Sequence, residues 1–314
     1  MTRQLFHVAD CPPELTVARW LDQHTDFEAL GASLHPSRAL PTVFATAGLP
    51  VDVAAVEGAV REVFAEHGWH GWRHDQGASP AYGGFSLVHN PDRDPRRNVH
   101  ADVMGTADVE LGDFLWEADE VPGGKGTYAD CYGFRERTPG SRRGALGELL
   151  DGFDRTIVRS GVRELHALYY LPELAAARPC HPHASAAGWH RDETVFENLR
   201  LLFPISSDPI FTIQIAENLQ SSDLLFDGHL APGRAYVWDT YLPHRAMVHE
   251  RAEASRIHLV LGIAPWFDHL PEEDAWVANE YFGRIHPFDM LAEGLIHPAI
   301  RLADDHPSSR PLAA

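Results

Sequence analysis

The chain has little cysteine. Cys11, Cys131 and Cys180 are the three it holds in 314 residues, and no two fall in a Cys-x-x-Cys spacing. An odd, scattered set gives neither a disulfide framework nor a thiolate zinc site, and it suits a reducing compartment. Long hydrophobic runs are lacking as well, and none approaches the length of a membrane span. Residues 1–10 carry no apolar targeting core. These absences lead to the expectation of a cytoplasmic protein with no membrane partner. Positive charge is also scarce: 26 Lys and Arg against 45 Asp and Glu leave a net charge of −19. That balance argues against nucleic acid held on a broad basic surface. Internal repeats and low-complexity tracts are absent too.

What is there reads as an ordinary globular composition. Hydrophobic residues make up 44% and charged residues 23%, enough to build a large core. Histidine is abundant at twenty residues, so some histidines will mimic metal ligands by chance.

The first half of the chain is mixed. Residues 15–30 have room for a short helix. Residues 51–67 place Val53, Val56, Val60, Val63 and Phe64 at helical spacing, with Asp52 as N-cap and Gly68 as terminator. Leu146, Leu149, Leu150, Phe153 and Ile157 predict a second amphipathic helix over 142–159. Residues 85–88 read as a strand, and Arg93, Arg96 and Arg97 as a solvated basic loop. The glycine-rich stretch from Pro122 to Thr127 lacks the Gly-Lys-Ser/Thr ending of a phosphate loop and reads as a connector. Arg135 and Arg137, two apart, are candidates for a substrate carboxylate.

From residue 163 the pattern changes to short strands separated by turns, at 165–171, 189–192, 199–205, 210–216, 223–230, 234–238, 245–249 and 256–264. That texture predicts a mainly β sandwich or barrel with flanking helices. Residues 271–281 and 288–295 are expected to be covering helices. The resulting division is a mixed N-terminal region over 1–160, a β core over 161–268 and a helical tail over 269–314, together one structural domain.

The chemistry centres on Gly188-Trp189-His190-Arg191-Asp192-Glu193. On an extended strand His190 and Asp192 point to the same face, so one imidazole and one carboxylate can grip a metal ion from one side. A third ligand is offered downstream by His244 or by its rival His249. Two histidines and a carboxylate on one face form the facial triad of non-haem Fe(II) oxygenases, which leaves positions open for cosubstrate and O2. Farther on, Arg256 and His258 share one face of a strand, and a buried arginine suits a carboxylate because its planar fork binds both oxygens.

Taken in order, Trp189-His190-Arg191-Asp192, then 198–205, then Gly233-Arg234-Ala235-Tyr236-Val237-Trp238-Asp239 with His244, then 256–260 resemble the aspartyl/asparaginyl β-hydroxylase family. These are Fe(II)/2-oxoglutarate oxygenases, and the family includes bacterial free-amino-acid hydroxylases. The resemblance implies a double-stranded β-helix core (jelly-roll, cupin-like). It implies iron at His190, Asp192 and His244, and 2-oxoglutarate at Arg256, with Arg200 as an inward-pointing arginine for a carboxylate; His258, on the face of Arg256, is a candidate for the cosubstrate as much as for the core. Its implied substrate is a small molecule, a free or derivatised amino acid of specialised metabolism. Two positions depart from the family pattern: Leu202 stands where a histidine is frequent, and the stretch between His244 and Arg256 is longer. The carboxylate at Asp192 points to hydroxylation or a related oxidation rather than halogenation, because related halogenases carry a small residue there.

The structural alternatives differ residue by residue. His190 and Asp192 alone would read as a hydrogen-bonded pair at a strand end, Arg256 as a partner for Asp239, and His258 as a core histidine. Trp189 and Trp238 read as core or wall. Cys180 with His181 and His183 mimics a zinc site without a fourth ligand at a recognisable spacing. At the level of function, the alternatives are a metal-dependent cupin-type hydrolase or isomerase, and a non-catalytic jelly-roll binding protein.

Overall fold

The computed structural model describes residues 5–7, 10, 20–21, 26–36, 42–68, 70–74, 77–89, 91, 131–169, 189, 191–218 and 223–303. His190, Arg93, Arg96, Arg97, the glycine-rich connector and the Cys180–His183 decoy lie outside them.

The central sheet follows from an alternation in which both faces are covered. On the strand at 255–263, Ile257, Leu259 and Leu261 are fully buried on one face, while Arg256, His258 and Val260 line a cavity on the other. The sheet has eight strands in the order β16 (Leu302–Ala303), β2 (Phe44–Thr46), β11 (Tyr236–Val237), β8 (Leu199–Ser206), β13 (Ser255–Ile263), β7 (Ile157–His166), β4 (Gly77–Ser86) and β3 (His70–His74). Register pairs His258 with Arg163 across β13 and β7, and Gly262 with Arg200 across β13 and β8.

A smaller sheet in the order β10 (Leu224–Gly228), β9 (Phe211–Ala216) and β12 (His244–Val248) faces it. Leu202 and Tyr236 of the large sheet pack with Ile213, Ile215 and Phe226 of the small one. Between β8 and β13 the chain passes from the large sheet to the small, back, across and back again. This winding is the double-stranded β-helix, and it is mainly β with few helices.

Helices cover the outer face of the large sheet. The α1 helix is Phe27–Ala32, and α2 is Val53–His67. Asp52 caps α2 by accepting from the Ala54 N–H at 2.9 Å, and Gly68 ends it at φ 83°. Val56, Val60 and Val63 join α3 (Gly144–Asp151) and the outward-facing Leu201, Phe203 and Leu259 in one core cluster. Each such fully buried side chain contributes roughly 1.5–3 kcal/mol. A third sheet, β1 (Leu5–His7), β15 (Ala275–Ala278) and β14 (Phe267–Leu270), a pair β5 (Val88–His89) and β6 (Glu136–Arg137), and α4 (Pro287–Glu293) complete the described elements.

Three local expectations need correction. The helix expected over 142–159 stops at Asp151, and Ile157 opens β7 instead. Ile157 and Val158 find partners in Ile263 and Gly262 of β13, and β-branched residues fit that pleated surface better than a helix. The strand expected over 165–171 is described as far as 169: β7 ends at His166, and Ala167–Tyr169 form a 3-10 turn. The helix expected over 271–281 is a hairpin: Asp274 takes a positive φ of 45° in the turn, and the buried Trp276 and Val277 pair with β14 and β1. Tertiary burial outweighs the helical spacing in both places.

The N-terminal region contributes β2 and β4 to the large sheet, so residues 1–160 and the core share one layer. At the β4–β7 junction Gly84 has φ 151°, and a Cβ there would overlap the Val162 carbonyl oxygen. Gly84→Ala is therefore expected to cost about 3 kcal/mol. A thermal melt of the full chain checks this; an unchanged Tm would contradict the tight β4–β7 approach.

Candidate active site

A cavity of about 130 Å³ lies between the two sheets. At about 10–15 Å³ per water-sized occupant it has room for on the order of ten heavy atoms. Each strand sends side chains into it according to its alternation. From β13 come Arg256, His258 and Val260; from β8, Arg200 and Leu202; from β7, Arg159 and Arg163. His244 and Ala246 enter from β12. Asp192 reaches in from the segment before β8, and Trp238 and Thr240 from the turn before β12.

Two cross-links fix Asp192 beside His244. The Asp192 N–H donates to the Thr240 carbonyl at 3.0 Å, and the Thr240 hydroxyl donates to the Glu193 carbonyl at 3.0 Å. This brings Asp192 Oδ2 to 3.4 Å from His244 Nε2. His244 Nδ1 lies 2.9 Å from the Leu242 carbonyl. A carbonyl only accepts, so Nδ1 carries a proton, and Nε2 is the ring nitrogen that faces Asp192. The Trp238 ring packs edge-on against the His244 ring, with centroids 5.6 Å apart. His249 sits past the end of β12, exposed, with Nε2 2.8 Å from Thr212 Oγ1, and does not line the cavity.

An ion network anchors this corner. Arg200 Nη1 is 2.9 Å from Asp192 Oδ2, and its Nη2 is 2.8 Å from Glu193 Oε2. Arg159 pairs with the other oxygen of Glu193. Burial pushes the Arg159 guanidinium down, but Glu193 and Asp192 outweigh it and hold it above its ordinary value. Arg200 reaches the cavity, and both of its terminal nitrogens hold carboxylates of the chain.

The opposite wall is different. Arg256 is 5% exposed, and its Nε and Nη1 have no hydrogen-bond partner among the described residues. Burial pushes its pKa down to about 10, so it stays cationic at neutral pH. Both ring nitrogens of His258 are likewise without a partner among the described residues. Burial first, then the neighbouring Arg256 and His229, hold His258 well below 6.5, so its ring is neutral. Asp239 is not Arg256's partner: it accepts from the Tyr241 N–H at 3.0 Å, and burial raises its pKa.

Arg135 and Arg137 do not reach the cavity. Arg135 donates to Asp274 at 2.6 Å and to His269, bracing the hairpin turn, while Arg137 binds Asp151 and Ser141. Trp189 is buried, with the Arg245 guanidinium 4.7 Å from its ring centroid, and does not line the cavity. Sequence reasoning missed Arg159, Arg163, Glu193 and Tyr82. Arg159 and Arg163 are four apart, which puts both on one face of a strand. Reading 142–159 as helix removed that signal.

No protein-family model and no curated protein matches this chain. Among solved structures it is similar to a prolyl hydroxylase from Trichoplax adhaerens in complex with a hypoxia-inducible-factor oxygen-degradation-domain peptide. That match has TM-score 0.35 and 8% identity and covers 81% of this chain and 95% of that one. It is similar to a Pseudomonas putida prolyl-4-hydroxylase, at TM-score 0.32 and 12% identity over 76% and 97%. A third is the non-haem α-ketoglutarate-dependent epimerase SnoN from nogalamycin biosynthesis, at TM-score 0.37 and 13% identity over 93% and 94%.

The state of His258 gives a pH prediction. Its folded pKa lies below its ordinary 6.5. Its contribution to stability is therefore complete above that value and is lost as pH falls from 6.5 toward the folded pKa. Denaturant titrations at pH 7 and pH 5 should show the native chain losing more stability than His258→Gln. Equal losses would place a protonated ring in the cavity.

Proposed function

We propose that this chain is an Fe(II)- and 2-oxoglutarate-dependent oxygenase that hydroxylates an unactivated C–H bond of a small molecule. We take that molecule to be a free or derivatised amino acid and the compartment to be the cytoplasm. The observation that carries the reading is Arg256, a buried cation facing the cavity with Nε and Nη1 unpartnered among the described residues. A buried donor left without a partner costs about 1–3 kcal/mol, and more when charged. A carboxylate removes that cost by taking two bonds from the fork, and neutral His258 beside it can donate a third.

The donor set across the cavity suits the metal. Asp192 and His244 offer an oxygen and an imidazole nitrogen 3.4 Å apart, the hard and borderline pair of a facial triad. His190 completes the triad through the sequence motif alone. Fe(II) with 2-oxoglutarate and O2 supplies the oxidant when bound.

The chain's own residues bind, orient and exclude water. Leu242 fixes the His244 tautomer so that Nε2 presents its lone pair. Arg200 holds the Asp192 carboxylate in place. Arg256 anchors the distal carboxylate of the keto acid. Leu202, Ile213 and Trp238 form apolar wall, which keeps the site dry and strengthens every charge interaction inside it. Residues 1–160 supply further wall and a lid for the substrate.

Anaerobic mixing of the full chain with Fe(II) and 2-oxoglutarate should produce a weak metal-to-ligand charge-transfer band in the visible. Absence of the band sinks the reading. Arg256→Gln should weaken 2-oxoglutarate binding by roughly 10- to 100-fold, the loss of about 1.5–3 kcal/mol from a charged hydrogen-bonding group. Asp192→Ala should abolish succinate formation, and retained activity would remove Asp192 from the ligand set.

A further inference from the structure

The smaller sheet carries a buried polar row on the face turned away from the cavity. On β12, His244 and Ala246 line the cavity, so Arg245 between them points to the opposite face. The register sets Arg245 directly across from Gln214 of β9, and Gln214 directly across from Asp227 of β10. Arg245 Nε donates to Gln214 Oε1 at 2.9 Å, and Gln214 Nε2 donates to Asp227 Oδ2 at 2.8 Å. A donor on one side and an acceptor on the other fix which way the Gln214 amide points. The outer face of an antiparallel sheet ordinarily meets water, yet Gln214 is 7% exposed and Arg245 5%. Polar groups are costly to bury singly, and a completed row of them holds each member in place.

The row ends on an aromatic ring. With Nε bonded to Gln214, the Arg245 guanidinium lies over Trp189, 4.7 Å from the ring centroid. Indole is the strongest aromatic partner for a cation, and the attraction grows when both are out of water. Trp189 is buried, and its Nε1 has no hydrogen-bond partner among the described residues, so packing and the ring face hold the indole. Three positions on, Asp192 lies in the cavity with Oδ2 3.4 Å from His244 Nε2. Neighbouring residues of β12 thus engage Trp189 and Asp192 from opposite faces of the strand, Arg245 on the outside and His244 on the inside. The bond from the Asp192 N–H to the Thr240 carbonyl secures the inner end.

We propose that Arg245 is a positioning residue: ordered by Gln214 and Asp227, it pins Trp189 to the outer face of β12 and so fixes where Asp192 stands beside His244. Arg245 acts through Trp189 and does not line the cavity. The consequence for a metal held by Asp192 and His244 rests on the oxygenase reading above; the pinning itself does not.

Hydrogen exchange of the metal-free full chain reads the pinning directly. Trp189→Leu and Arg245→Met should speed exchange of the Asp192 amide roughly tenfold, while the amides of α2, across the large sheet, exchange as in the native chain. Trp189→Phe keeps an aromatic face for the cation and should stay within about twofold of native at Asp192. Mn(II) titration followed by electron paramagnetic resonance should show Trp189→Leu and Arg245→Met binding roughly tenfold more weakly than the native chain, the effect of loosening a ligand's support. The proposal is overturned if Asp192 exchange is unchanged in both variants, or if α2 speeds up as much, which marks general destabilisation. It is equally overturned if Trp189→Phe behaves as Trp189→Leu does, or if both variants bind Mn(II) as tightly as the native chain. Failure of the oxygenase reading would look different: the native chain would take up no Mn(II), while the exchange difference at Asp192 persisted and upheld the pinning.

Discussion

Buried positive charge is the constraint from which the rest follows. Taking a guanidinium out of water costs several kcal/mol unless partners replace the solvent. The cavity between the sheets holds four such groups, and three of them show two treatments. At one corner Glu193 and Asp192 absorb Arg159 and Arg200 into a closed network. Across the cavity Arg256 keeps Nε and Nη1 without a hydrogen-bond partner among the described residues. The first treatment anchors Asp192, and the second leaves the donors of Arg256 for the anion proposed above.

The fold makes this division possible by reversing the usual alternation. A half-buried sheet normally shows its polar side chains to water. Here α2 and α3 bury the outward residues of β8 and β13, so the polar residues point inward between two sheets. The winding from β8 to β13 brings residues distant in sequence to one point. Asp192 and His244, fifty-two positions apart, meet because the Thr240 carbonyl receives the Asp192 N–H.

Much of this could be read in the sequence, because the residues concerned are local and periodic. The alternation at 256–264 placed Arg256 and His258 on one face, and the structure has them there. The helix at 53–67 is fixed by Asp52 and Gly68 at its ends, and each does its capping within a few residues. What could not be read depends on partners far along the chain. Ile157 and Val158 continue a helical spacing until β13 pairs with them, and Trp276 and Val277 do so until β14 and β1 do. Losing β7 at its start also hid Arg159 and Arg163, half of the cavity's guanidiniums. The engagement of Arg200 by Glu193 was equally out of reach: the sequence shows both residues, but not that Asp192 and Glu193 both face Arg200.

We propose, above all, that Arg256 and the Asp192–His244 corner address the two ends of one keto diacid across a single cavity. The most direct measurement is a crystal structure of the full chain with Mn(II) and N-oxalylglycine, an unreactive mimic of 2-oxoglutarate. The account predicts metal density contacting Asp192 and His244, and the distal carboxylate within hydrogen-bond distance of Arg256. Metal bound elsewhere, or the diacid seated with Arg256 still unpaired, would contradict it.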